Sequence, residues 1–305
     1  MEHQLLEGRE IVQHAIAHGD LEPVAKILAR LAVDDRTCFD LLAGVTEQPL
    51  SLRPLRALRA RLGSEPPPGV FERLLLLRAW LTSLDCVRSL PLADSVKRLI
   101  CEEARFVAAP PSTKLQHFDL DRNVFIALSK LATLRRFPAG QLHWEIAGFP
   151  RSWVFKVRPR AQPRLAYYLG MRMRGFAPTF FIHLNANRKD RAALVERESN
   201  RSYFRMAQSL ALQPEIKGLV ASSWLHSPDT MAVSPHLASL NRVFLENGAL
   251  VTTMGAADPD SGVFTRSPER RRLFDQGLFK PTNGLVIWPR AQMLSWATSH
   301  PELAD

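Results

Sequence analysis

Cysteine is scarce. Only Cys38, Cys86 and Cys101 occur in 305 residues, each in or beside an apolar segment and none in a CxxC or Cys/His ligand spacing. That excludes a disulfide framework and a zinc ribbon as the basis of the fold, and the thiols are expected to be reduced and mostly buried. Long apolar runs are missing too: Leu74 to Leu77 is cut short by Arg78, far below the roughly 20 residues of a membrane-crossing helix, so no membrane span is expected. The first residues, Met1-Glu2-His3-Gln4-Leu5-Leu6-Glu7, carry acids where a secretory leader has a basic and then an apolar stretch, which gives a cytoplasmic expectation. Acid is short relative to base, with 30 Asp+Glu against 40 Lys+Arg and a formal charge of +10. A surplus of that sign attracts anionic partners.

Apolar residues are plentiful. At 46% hydrophobic the chain has enough to offset its conformational entropy, which excludes intrinsic disorder, and its length suits two ordinary domains. The first 115 or so residues place apolar side chains at helical spacing, as in Leu5, Ile11, Val12, Ala15 and Ile16, with Gly19 as a stop and Asp20 as a following cap. Further helices are predicted over about 20–32, 35–44, 51–62, 70–83 and 92–106. After the proline-rich break at Pro110-Pro111, Asp119 or Asp121 is expected to cap a helix that runs through Asn123 to Leu128 towards Arg136, where Phe137-Pro138-Ala139-Gly140 ends it. The texture then changes. Strands are predicted over 141–148, 153–157, 178–184, 216–225, 249–254 and 284–288, and helices over about 160–174, 194–212, 235–247 and 267–276. The expected fold is an all-helical domain, 1–115, followed by an α+β or α/β domain with a mixed sheet, 116–305.

Several constellations carry chemistry. On the first of these strands His143 and Glu145 share a face, since side chains two apart on a strand point the same way; the alternative is a solvated face opposite a core of Leu142, Trp144 and Ile146. His183 sits in an apolar strand that ends in polar Asn185, Asn187 and Arg188, as a poised general base or a satisfied core histidine. Ser222, Ser223 and His226 end the next strand. The flanks of Ser222 and Ser223 lack the glycines of G-x-S-x-G, which argues against a serine hydrolase, but the hydroxyls can bind a ligand carbonyl. His117-Phe118-Asp119 has an H-x-D spacing, for which an Asp119 helix cap is the simpler account. Two basic clusters stand out, one over Arg188, Lys189, Arg191, Arg197, Arg201 and Arg205, the other Arg270-Arg271-Arg272. Each is either an anion site or a solvated helix face. No nucleic-acid-binding signature accompanies them.

The order of strands and helices over about 140–290 resembles the later part of the GNAT acyltransferase fold. A helix ends at a glycine just before a strand in Phe244-Leu245-Glu246-Asn247-Gly248-Ala249-Leu250-Val251, and Asn283 to Trp288 provides a closing strand. The resemblance implies an acyl group moved from a thioester to an amine. The family's acyl donor rests on a glycine-bearing loop, whereas the matching stretch Asn185 to Arg191 has no glycine. Relatives that take acyl groups from acyl carrier protein rely more on basic side chains. The resemblance therefore implies acyl-CoA or acyl-carrier-protein phosphopantetheine as donor, held by Asn185, Asn187, Arg188, Lys189 and Arg201. His183 or Glu145 would be the base, Ser222 an oxyanion donor, and Tyr203 the acid for the leaving thiolate. His143, Ser223 and His226 would contact a small-molecule acceptor. Two other classes compete: a non-catalytic basic protein that binds an acidic protein or nucleic acid, and a non-haem iron oxygenase using His143, Glu145 and His183 or His226.

Overall fold

Leu74, Leu75, Leu76, Leu77, Phe71 and Trp80 are all solvent-inaccessible, because the helix that carries them is apolar around its whole circumference and can be stable only inside a bundle. A computed structural model describes residues 2–46, 52–109, 123–184, 195–258, 262–264 and 267–304. The chain forms two compact units, Met1–Pro138 and Ala139–Asp305.

The first unit contains α1 (Glu2–Ala17), α2 (Leu21–Arg30), α3 (Asp35–Thr46), α4 (Arg53–Ala60), α5 (Val70–Val87), α6 (Asp94–Ala108) and α7 (Asn123–Ala132), then a short strand, β1 (Arg136–Pro138). Helix α5 is its axis and touches α1, α2, α3, α6 and α7. Two charges buried on it are matched. Glu72 receives Arg59 Nη1 at 2.9 Å, and Arg73 donates to the carbonyls of Val107, Ala108 and Ala109 at 2.7–3.0 Å, closing the carbonyl end of α6. The unit extends past the expected 115/116 boundary because α7 packs on α3 and α5. Of the three thiols Cys38 and Cys101 are buried and Cys86 is exposed; burial pushes the Cys38 thiol up to about 12. Among the described residues no helix is long and apolar enough to cross a membrane.

The second unit holds β2 (Leu142–Gly148), α8 (Gln162–Tyr167), β3 (Pro178–Leu184), α9 (Glu196–Ala211), β4 (Gly218–Ser223), α10 (Pro228–Val233), α11 (Ser239–Glu246), β5 (Leu250–Ala256), α12 (Pro268–Asp275), β6 (Thr282–Pro289) and α13 (Arg290–Thr298). Its strands lie in the order β2-β3-β4-β6-β5. Only β3 and β4 are parallel to each other; the other neighbours are antiparallel. The whole chain is thus α+β, a helical region followed by a mixed sheet with helices.

One sheet face is covered by the connection from β2 to β3, which places Val157, Leu165, Leu169 and Met173 against Val220, Leu250, Leu285 and Ile287. The other is covered by α9, α11 and α13, whose aromatics stack around Trp288: Tyr203 on Phe244 at 5.0 Å, Phe244 on Trp288 at 5.3 Å and Trp296 on Trp288 at 5.1 Å. Each such buried side chain contributes about 1.5–3 kcal/mol by area removed from water. Arg290 fixes the far end of α9, donating to the carbonyls of Gln213 at 2.7 Å and Leu210.

Two local expectations fail. Residues 153–157 are not a strand: Arg151–Phe155 is a 3-10 helix and only Val157 bridges to Met254. Prolines 150, 159 and 163 and the packing of Trp153 and Val154 on the core favour short helical turns there. Ile146 is exposed rather than core, while His143, on the opposite face of the strand, is buried.

Candidate functional site

Strand register places the chemistry. His143 lies opposite His183 and Glu145 opposite Phe181, and Phe181 is level with Val220 on the parallel neighbour. Since side chains alternate, His143, Glu145, Phe181, His183, Val220 and Ser222 all lie on one face. Diagonally across it, His183 Nε2 is 3.1 Å from Glu145 Oε1, both side chains partly buried. The carboxylate orients the ring and pairs with it whenever the ring carries a second proton.

The parallel ladder consists of Phe180–Leu219 and Phe181–Val220, although both strands continue, to Leu184 and Ser223. Beyond the second pair they part. A cavity of about 210 Å³ occupies this gap, lined among others by His183, Ser222, Ser223, Tyr203, His226 and Leu240. Its wall includes Phe181, His183 and Ser222 from one sheet face and Ile182, Ala221 and Ser223 from the other.

His226 reaches the cavity from the 3-10 turn Trp224–His226 that follows β4. Ser223 starts the turn, its Oγ accepting from Leu225 N at 3.2 Å. The turn crosses β6 at Gly284, where a Cβ would overlap the carbonyl of His226 and lie 2.5 Å from Ser227 N. Side-chain-free backbone is required there by space rather than by torsion.

The His226 ring is held by a residue that sequence reasoning missed. Its Nδ1 is 2.7 Å from Asn241 Oδ1, and the same amide's Nδ2 faces the His226 carbonyl at 3.4 Å and Met231 Sδ at 3.2 Å. With the amide nitrogen committed to acceptors, Oδ1 accepts, so Nδ1 carries the hydrogen and Nε2 the lone pair. Nε2 makes no hydrogen bond to a described residue. Burial lowers the His226 pKa from its usual 6.5, opposed in part by the Asn241 hydrogen bond. The result is a neutral, oriented imidazole, the form a general base needs. The available signal was an amide among Leu240, Val243 and Phe244 on the core side of a helix, since a fully buried Asn needs partners.

The other sequence candidates divide. Tyr203 lines the cavity, and burial raises its pKa, keeping it a phenol. Ser222 lines it without a hydrogen bond to another described residue, whereas the Ser223 hydroxyl is engaged as a cap. His143 and Glu145 are not among the lining residues, because β3 stands between their side of β2 and the gap; Glu145 meets the site only through its contact with His183. Arg201 is absent from the lining too, and pairs with Glu198 on its own helix at 3.1 Å. Asn185, Asn187, Arg188, Lys189 and Arg191, like His117 and Asp119, lie outside the described residues. The charges of the second basic cluster have partners within the chain: Arg270 is buried, bonded to the Val263 carbonyl at 2.7 Å and stacked over Trp224. Arg271 and Arg272 pair with Asp275 and Glu269 on the same helix. Among the described residues no group of three or more His, Cys, Asp or Glu side chains is arranged to hold a metal ion. Comparison of the chain with family models, curated proteins and solved structures finds no match in any of the three.

Proposed function

We propose that the gap between β3 and β4 is the site of acyl transfer from a thioester, of CoA or of acyl carrier protein, to the amine of a small molecule. One observation carries this reading: a parallel strand pair parts around a cavity that brings His226, Ser222, His183 and Tyr203 together. It is supported further by the GNAT-like order of strands and helices and by the opposed surroundings of the two histidines, one among apolar groups and one beside a carboxylate.

In this reading the amine nitrogen attacks the thioester carbon while His226 Nε2 takes the amine's proton. The Ser222 hydroxyl donates to the oxyanion of the tetrahedral intermediate. As that intermediate collapses, the carbon–sulfur electron pair leaves with sulfur, and the Tyr203 hydroxyl protonates the thiolate. His183, oriented by Glu145, holds the acceptor. Arg201 and the basic stretch 185–191 would meet the donor's anionic part.

The test is thiol release from a panel of acyl-CoA and acyl-carrier-protein donors with amine acceptors. Release with at least one pair, reduced about 100-fold or more in His226→Ala, is expected for loss of a general base. No release above background with any pair overturns the proposal.

A further inference from the structure

Between Glu145 and Asp190 the sequence contains no acidic residue, yet six arginines and one lysine fall between Arg151 and Arg174. All seven are exposed. This stretch is the layer over one sheet face, and its two sides differ. Val157, Leu165, Leu169 and Met173 turn inward to the core. Outward, among the cations, stand Phe155 at 84% exposure, Met171 at 73% and Tyr167 at 48%. Of the cations only Arg158 pairs with a described carboxylate, Asp229, at 2.6 Å. Arg172 and Arg151 lie instead over the rings of Tyr167 and Phe176, at 5.7 Å in both cases.

We infer that this outer face docks on an anionic phospholipid surface. Large apolar side chains left in water together mark an interaction surface, and the cations around them set the sign of its partner. A lipid interface takes both, with headgroup charge meeting the arginines and the acyl boundary accepting Phe155 and Met171. An acidic protein or nucleic acid would satisfy the charges, but neither accounts for apolar tips standing this far out of the surface. The inference is independent of the acyl-transfer reading.

Co-sedimentation with phosphatidylcholine vesicles, with and without phosphatidylserine, tests it. Binding should require phosphatidylserine and weaken with salt. Each cation near such a surface contributes about 1 kcal/mol, or about fivefold, so Arg164→Gln/Arg172→Gln should bind about 25-fold more weakly. Phe155→Ser/Met171→Ser should weaken it as well, while Arg271→Gln/Arg272→Gln, which removes already paired cations, should not. Circular dichroism confirms folding, since all six positions are solvent-facing or partly so. Equal binding with and without phosphatidylserine, equal loss in the Arg271/Arg272 control, or retention by polyglutamate or DNA but not by vesicles overturns it.

Discussion

His226 gives its Nδ1 hydrogen to Oδ1 of Asn241, 2.7 Å away and fully buried, which leaves Nε2 as the ring's basic nitrogen at the cavity. Replacing Asn241 by Leu removes the acceptor and strands an N–H in an apolar setting. The expected cost is about 1–3 kcal/mol of stability. Activity should fall as well, because the ring loses its fixed tautomer. Urea unfolding together with the thiol-release assay checks both. An unchanged rate in a folded Asn241→Leu protein would remove His226 from the role of base.

The same ring predicts a dependence of stability on pH. Burial lowers the folded-state pKa of His226 below the ordinary value of 6.5. The unfolded chain therefore takes up this proton first as the pH falls. Its contribution to stability is complete above about 6.5 and is lost as the pH drops towards the folded-state value, at no more than about 1.4 kcal/mol per pH unit. His226→Gln should flatten that part of the curve. Unfolding free energies of the two proteins on either side of pH 6.5 give the comparison, and identical slopes would refute it.

Gly284 is predicted to be irreplaceable even by Ala. The added methyl would meet the His226 carbonyl and Ser227 N, and both are backbone, which cannot rotate away as a side chain can. Overpacking of this kind costs about 1–3 kcal/mol. The turn carrying His226 must also shift, so activity should fall further than stability alone explains. Chemical denaturation and kcat/KM of Gly284→Ala measure the two effects; wild-type values for both would show that the turn has more room than its geometry indicates.

Adjacent serines should separate function from folding. Ser223 caps the turn through Leu225 N, so Ser223→Ala should lower stability by about 1 kcal/mol. Ser222 lines the cavity with its hydroxyl uncommitted to any described residue. Ser222→Ala should leave the unfolding midpoint alone and slow thiol release about 100-fold, as loss of an oxyanion donor does. The reverse pattern would exchange their roles.

The division into a helical region and a sheet was legible in the sequence because apolar spacing changes from helical to alternating near residue 140. Four of the six predicted strands, 141–148, 178–184, 249–254 and 284–288, fall on β2, β3, β5 and β6, and the fifth, 216–225, overlaps β4. Residues 153–157 misled because Trp153, Phe155 and Val157 alternate with polar neighbours, while the prolines around them select turns. For the site, strand alternation was enough to put His143 and Glu145 on one face; that His183 meets Glu145 and shares a face with Ser222 depends on how β2, β3 and β4 pair. The Asn241–His226 pair was not legible, since it joins a turn to a helix and depends on Gly284 letting the turn approach β6. The number of arginines was plain in the sequence; that Arg270 is buried and Arg271 and Arg272 are paired depends on how α12 packs.

Tyr203 offers the sharpest separation of chemistry from packing. Its ring stacks on Phe244 at 5.0 Å and Trp288 at 6.1 Å, contacts that Phe would keep, so Tyr203→Phe should unfold within about 0.5 kcal/mol of the wild type. Burial raises the phenol's pKa, so it stands in the cavity as a proton-bearing donor; the same burial raises the basicity of a thiolate released beside it, and that rise is what the proton transfer requires. An alkyl thiolate needs that proton more than an aryl thiolate, which is a better leaving group. Tyr203→Phe should therefore slow alkyl thioesters about 10-fold or more and aryl thioesters far less, within the range of general-acid contributions. Competition between the two donor types in one reaction gives the ratio directly. An equal loss with both would mean that Tyr203 shapes the cavity without supplying the proton.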